Sequence, residues 1–202
     1  MNAVTECKCA NSQLTHIVEE FEVSDDLKAP FTVILNNAVE VTTDADSGKV
    51  ASYKIPDLDG LIRAVTTSRI AHPYKLSGPE IKFVRKAIGL KQKELATKIE
   101  LTPEHLSRCE NGALPISPSA EKLFRIFAFK TVLKLHKIES CDEKTEILDT
   151  LDRLFDDLKP VPAFDAGSEL VFHFRRVPVT TGDSTDDSSP DDGRWDGDAM
   201  AA

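Results

Sequence analysis

The stretch from Gln92 to Glu110 leaves the chain few ways to fold. Leu95 and Ile99 share one helical face, Leu106 and Cys109 share another, and Leu101 lies between the two sets. Spacing of four, then a break, then spacing of three predicts two short helices that bury these faces against each other. Ala96 is small where the second helix crosses the first, and a crossing of about 90 to 120° over a three- or four-residue turn leaves little room for anything larger. Thr102 is placed to cap the second helix, Pro103 fits its first turn, and Asn111-Gly112 stops it. With the apolar residues inward, Glu104, His105, Ser107 and Arg108 are left on the outer side.

Helical signals continue on both sides. Ser77-Gly78-Pro79-Glu80 has the residues of a helix start, followed by Ile81, Val84, Arg85 and Ile88 and closed by Gly89. Beyond the pair, Ser117-Pro118-Ser119 opens a longer helix through Leu123, Phe124, Phe127, Val132 and Leu135, of a length that suits a spacer or dimer element. Ser140-Cys141-Asp142-Glu143 opens another, with Ile147, Leu148, Leu151, Leu154, Phe155 and Leu158 on one side, until Pro160 and Pro162 break it.

Strand signals lie outside this region. Phe31 to Leu35, Val39 to Thr43 and Val50 to Ile55 are rich in β-branched and aromatic residues, and Asn36-Asn37 and Asp46-Ser47-Gly48 punctuate them. They predict a small antiparallel sheet. Leu58, Leu61, Ile62 and Val65 then recur at helical spacing until His72-Pro73. Leu170 to Val177 reads as one late strand, which needs a partner in the N-terminal sheet or in a second subunit, because an unpaired apolar edge is a liability.

The expected fold class is therefore α+β: a mainly helical domain, a small N-terminal antiparallel sheet and a late C-terminal strand. Five segments follow. Residues 1–30 are polar without a convincing period and read as loose; 31–75 hold the sheet and a helix; 76–138 hold the helical pair; 139–178 hold a helix and a strand that can serve dimerisation. In 179–202, seven aspartates stand against Arg194 alone, the composition of a disordered acidic tail.

The formal charge of -9 argues against nucleic acid only when averaged over the whole chain. From Leu76 to Lys130 ten lysines and arginines face six acids, so this segment carries +4 and the rest -13. Such asymmetry fits a nucleic-acid-reading module with acidic appendages, although an ordinary solvated surface can produce it too. No apolar run approaches a bilayer span, and the first residues have neither a basic nor an apolar leader region, so the expectation is a cytoplasmic protein without a membrane partner. Cys7, Cys9, Cys109 and Cys141 are scattered and expected to be reduced, with Cys109 at a core position.

Leu90-Lys91-Gln92-Lys93-Glu94-Leu95-Ala96 followed by Leu101-Thr102-Pro103-Glu104-His105-Leu106-Ser107-Arg108-Cys109-Glu110-Asn111-Gly112 resembles the Xre/Cro-type helix-turn-helix. Together with Leu76 to Ile81 and Ser117 to Arg125, the stretch is similar to the DNA-binding half of MqsA/YgiT-type antitoxins. The resemblance implies a transcriptional regulator that binds double-stranded DNA, as a homodimer on an inverted-repeat operator. It also implies a second reading, an antitoxin-like protein that neutralises a toxin or another regulator. The family's N-terminal half binds zinc through two Cys-x-x-Cys pairs, which this chain lacks. Cys7-Lys8-Cys9 has no second pair, so no metal site and no cofactor is expected, and the Phe31 to Ile55 strands read as a metal-free counterpart of that half.

On this resemblance Gln92 contacts the DNA backbone from a helix start, where free amides favour phosphate, or is simply a polar helix start. Arg108 matches an arginine placed against bases, where it can bond guanine O6 and N7, or is an arginine on a solvated face. Glu104 can accept from cytosine N4 or merely repel phosphate; His105 and Ser107 are its neighbours on the reading face. Thr102 is either a cap or a phosphate contact, and Lys91, Lys93 and Asn111 are candidate backbone neutralisers. Glu100 stands in the turn where the motif usually carries glycine, since the backbone there favours the left-handed region. No His-Glu-x-x-His, Gly-rich phosphate loop or Gly-x-Ser-x-Gly is present and the five histidines are dispersed, so no catalytic residue is assigned and an enzyme is not expected.

Overall fold

In the computed structural model of the chain, residues 13–44, 48–135, 149, 170–178 and 193–201 are described. Their elements in order are β1 (Gln13–Glu22), α1 (Ser24–Leu27), β2 (Thr32–Asp44), β3 (Val50–Lys54), α2 (Leu58–Ala71), α3 (Gly78–Ala87), α4 (Gln92–Lys98), α5 (Pro103–Glu110), α6 (Pro118–Leu135), β4 (Leu170–Pro178) and β5 (Gly193–Ala201). The α+β class is as expected, with α2 to α6 between two groups of strands. Cys7, Cys9, Cys141 and, residue 149 apart, the expected helix after Ser140 lie outside the described residues.

The sheet differs from its expected form in three ways. It is mixed: β1, β2 and β3 pair antiparallel, but β4 runs parallel to β2, with Val33 opposite Phe172 and Leu35 opposite Phe174. Of the two pairings open to the late strand, the structure takes the one with the N-terminal sheet, which closes the apolar edge of β2. Asn36-Asn37 is no turn, because one strand runs from Thr32 to Asp44. Asn37 adopts a left-handed φ of 50° inside it, and Val18 opposes Val39 while Glu20 opposes Asn36, so β2 carries one extra residue as a bulge.

The third difference concerns the ends, since neither is wholly without structure. The segment 1–30, read as loose, includes β1, whose period is hidden because Leu14 and Ile17 are exposed and acids fill Glu19, Glu20 and Glu22. The acidic tail likewise contains β5, antiparallel to β4. Specific contacts outweigh its poor strand composition. Trp195 Nε1 donates to the Asp57 carbonyl at 3.1 Å, and the Arg176 guanidinium lies 5.2 Å from the centre of the Trp195 ring. Gly197 packs so closely on Phe174 that a Cβ there would fall 2.1 Å from a ring atom.

The sheet docks on the helices through aromatic rings. Phe31 meets Phe83 of α3 edge-on at 5.5 Å and Phe172 of β4 at 5.0 Å, above Leu61, Val65 and Ile70 of α2. Behind this layer lies a buried polar network. Arg69 of α2 bonds both carboxylate oxygens of Glu80 on α3, at 2.5 and 3.0 Å, and donates to the carbonyls of Tyr74 and Lys75. Arg125 of α6, with no solvent exposure, bonds Glu121 and donates to the carbonyls of Ile70, His72 and Tyr74. Glu121 also accepts the Leu76 amide at 2.8 Å. Two arginines thus satisfy the backbone of the turn between α2 and α3, which a helix junction would otherwise leave unpaired.

His72 sits in this junction, in ring contact with Tyr74 and Phe172, and its Nδ1 accepts the Tyr74 amide at 3.3 Å. Burial, then the charges of Arg69 and Arg125, lower its pKa from 6.5 to about 4. The folded ring refuses a proton that the unfolded chain accepts below pH 6.5, so stability is full above that value and falls as the pH drops toward 4. Melting temperatures at pH 7 and pH 5 check this. The native chain melts lower at pH 5, and His72→Asn, which keeps an acceptor without a titrating ring, shows a smaller drop; an equal drop in both contradicts the assignment.

Candidate nucleic-acid interface

α4 and α5 form the helical pair that the apolar spacing predicts. Leu95, Ala96, Ile99, Leu106 and Cys109 are all buried, and Leu101 is partly so. Thr102 Oγ1 accepts the His105 amide at 3.1 Å and Pro103 occupies the first turn, so the start of α5 is capped by its own sequence. Burial pushes the Cys109 thiol above its ordinary pKa, which makes it a packing residue rather than a nucleophile.

Glu100, between the helices, has φ 57°, in the left-handed region where glycine is at ease. A side chain there costs about 1 kcal/mol, so Glu100→Gly is expected to leave stability unchanged or raise it by up to that amount, less any entropy that glycine adds to the unfolded chain. Denaturant melting measures this, and a clear loss contradicts the account of the turn.

The geometry adds two features that residue spacing alone did not reveal. The first is a buried clamp under α5. Arg85 on α3 bonds both oxygens of Glu110 at 2.6 and 3.0 Å and donates to the Leu90 carbonyl, and Gln92 Nε2 donates to Glu110 at 2.9 Å. The end of α5 is therefore locked to α3 and to the start of α4. A sequence signal existed, because Arg85 stands among the apolar residues Ile81, Val84 and Ile88, at a position that must point inward. The second feature is Gly78. A Cβ there would lie 2.3 Å from the Cys109 carbonyl oxygen, 2.8 Å from the Gly112 nitrogen and 2.9 Å from the Glu110 carbonyl oxygen. Only a glycine lets the start of α3 touch the backbone at the end of α5.

The candidate contact residues fall as follows. Glu104, His105 and Arg108 are exposed on α5 and Ser107 is half-buried beside them. Lys91, Lys93, Thr102 and Asn111 are exposed around the pair. Gln92 is half-buried, and its amide is held by Glu110, so the residue expected to meet the DNA backbone also has an internal structural bond. Among the described residues the Arg108 guanidinium has no hydrogen bond or ion pair within the chain.

Burial also decides which charges this region presents. Glu80, Glu110 and Glu121 are buried against Arg69, Arg85 and Arg125. What remains at the surface between Leu76 and Lys130 is Lys82, Lys86, Lys91, Lys93, Lys98, Arg108, Lys122 and Lys130 against Glu94, Glu100 and Glu104. Each buried pair is neutral, so the surface keeps the cationic excess of the sequence, enlarged by one charge because Arg69, which neutralises Glu80, lies outside the segment; phosphate attraction depends on this surface charge.

Residues 81–129 of the 202 match the model of a family described as helix-turn-helix, which supports the resemblance of this segment to the Xre/Cro type. Neither a curated protein nor a solved structure matches the chain at a significant level. Among the described residues no helix is long and apolar enough to cross a membrane, and no group of side chains could hold a metal ion.

Proposed function

We propose that this chain is a sequence-specific transcriptional regulator of the cytoplasm that represses its target genes, its own among them, by binding double-stranded DNA as a homodimer. The helix Pro103–Glu110 enters the major groove. The observation that carries this reading is the outer face of α5, where Arg108, Glu104 and His105 are open to solvent over a fully buried Leu106 and Cys109. Arg108 reads guanine through O6 and N7, Glu104 faces the neighbouring base, and His105 and Ser107 flank them. Lys91, Lys93, Thr102 and Asn111 hold the phosphates, and Gln92 contributes from the helix start while bonded to Glu110. A two-fold pair of such modules reads inverted half-sites about one helical turn apart.

The test is a mobility shift at low salt with the DNA upstream of the protein's own gene. A protein-dependent shift is expected, reversed by raising the salt as counterions compete for the phosphates. No shift at low salt rejects the reading.

A partner-binding, antitoxin-like role can coexist with it. It is favoured by the exposed acids Glu19, Glu20, Glu22, Asp25 and Asp26, which suit a basic protein. Co-purification decides: a small basic protein in stoichiometric amount supports this role, and a clean homodimer counts against it.

A further inference from the structure

Among the described residues β1 pairs with β2 alone, so its outer edge presents unpaired backbone amides and carbonyls. Natural sheets protect such edges with charge, proline or a bulge. Here only half of the strand is protected. Glu19, Glu20 and Glu22 fill the second half, and the ladder is interrupted between Val18 and Glu20. The first half, Gln13 to Val18, has no lysine, arginine, acid or proline, and it carries Leu14 at 62 % and Ile17 at 60 % exposure. The Leu14 carbonyl accepts from Thr43 Oγ1 of β2 at 3.3 Å, so Ile17, three residues on, is the one of the two whose own amide and carbonyl face the open edge.

We infer that Leu14 to Val18 is the dimerisation strand, pairing antiparallel with the same segment of a second copy. The inference rests on the homodimer reading above and names its interface. A continuous sheet crossing a two-fold axis requires that axis to be normal to the sheet, which leaves every residue on its own face. Residues that oppose one another must then share a face, so the register centres on a single residue.

Centring on His16 sets Leu14 opposite Val18 of the second copy on one face and Thr15 opposite Ile17 on the other. Apolar and β-branched pairs of this kind stabilise a ladder. Centring on Ile17 instead sets Leu14 against Glu20 and Thr15 against Glu19, and centring on Val18 sets Ile17 against Glu19 and His16 against Glu20. The carboxylates therefore confine pairing to the uncharged half. They also end at opposite ends of the paired segment, where like charges from the two copies stay apart.

The test uses the full chain. Light scattering coupled to size exclusion gives a dimer mass for the native chain and a monomer mass for Ile17→Lys at the same concentration, with the far-UV spectrum unchanged. In a background with Cys7, Cys9 and Cys141 replaced by serine, oxidised His16→Cys gives a covalent dimer and Glu22→Cys does not. A native dimer that survives Ile17→Lys and is not cross-linked through His16→Cys overturns this interface while the homodimer stands. A native chain that is monomeric at every concentration tested overturns both.

Discussion

Replacing Arg125 with methionine is expected to cost about 3–5 kcal/mol of folding stability, the range for removing one partner of a buried ion pair. The side chain has no exposed surface, and three backbone carbonyls besides Glu121 depend on it. Methionine fills a similar volume but donates nothing, so the carbonyls of Ile70 and His72 lose their Arg125 donor and Glu121 keeps a buried charge opposed only by the Leu76 amide. The Tyr74 carbonyl is the exception, because Arg69 still reaches it. Denaturant unfolding measures the loss. Since small domains have total stabilities of about 5–15 kcal/mol, the loss is a large share of the whole, and the variant should unfold at markedly lower denaturant and temperature. A loss below about 1 kcal/mol, the level of an exposed pair, would contradict the network described for the α2–α3 turn.

Gly78→Ala is the second change with a large expected effect, and it links stability to the helix proposed to enter the major groove. The added methyl meets only backbone, at 2.3 Å from the Cys109 oxygen, so no flexible side chain can move aside. Either α3 or α5 must shift. Overpacking of this kind costs about 1–3 kcal/mol. The shift falls on the end of α5 that Arg85 and Gln92 clamp through Glu110, so DNA affinity should fall along with melting temperature. Unchanged stability in Gly78→Ala would mean that the two helix ends are not in contact.

The helical pair was legible in the sequence because its signals are local. Leu95, Ala96, Leu106 and Cys109 declare their faces by spacing, Thr102 caps its own helix, and Glu100 occupies the one turn position where a left-handed φ is needed. The missed features depend on residues far apart in sequence. Arg85 and Glu110 are 25 positions apart, and nothing local to either marks the pair beyond an arginine at an inward position. β5 is held by Trp195 on the Asp57 carbonyl and by Gly197 under Phe174, contacts that an average over an aspartate-rich tail conceals. β1 is held by a partner strand rather than by its own alternation, so its exposed Leu14 and Ile17 made it look irregular. Site residues were legible only as positions on a face, and the bond from Gln92 to Glu110 shows that one position can serve the interior as well.

The proposed function stands on recognition of DNA by Arg108 from the open face of α5. The most direct measurement compares the affinity of the native chain and of Arg108→Ala for the DNA bound in the mobility shift, at fixed salt. A loss of about 1–3 kcal/mol, roughly 5- to 150-fold, is expected for Arg108→Ala, with discrimination relaxed at one base pair and the melting temperature unchanged. Equal affinity of the two proteins, with the same sequence preference, would contradict it.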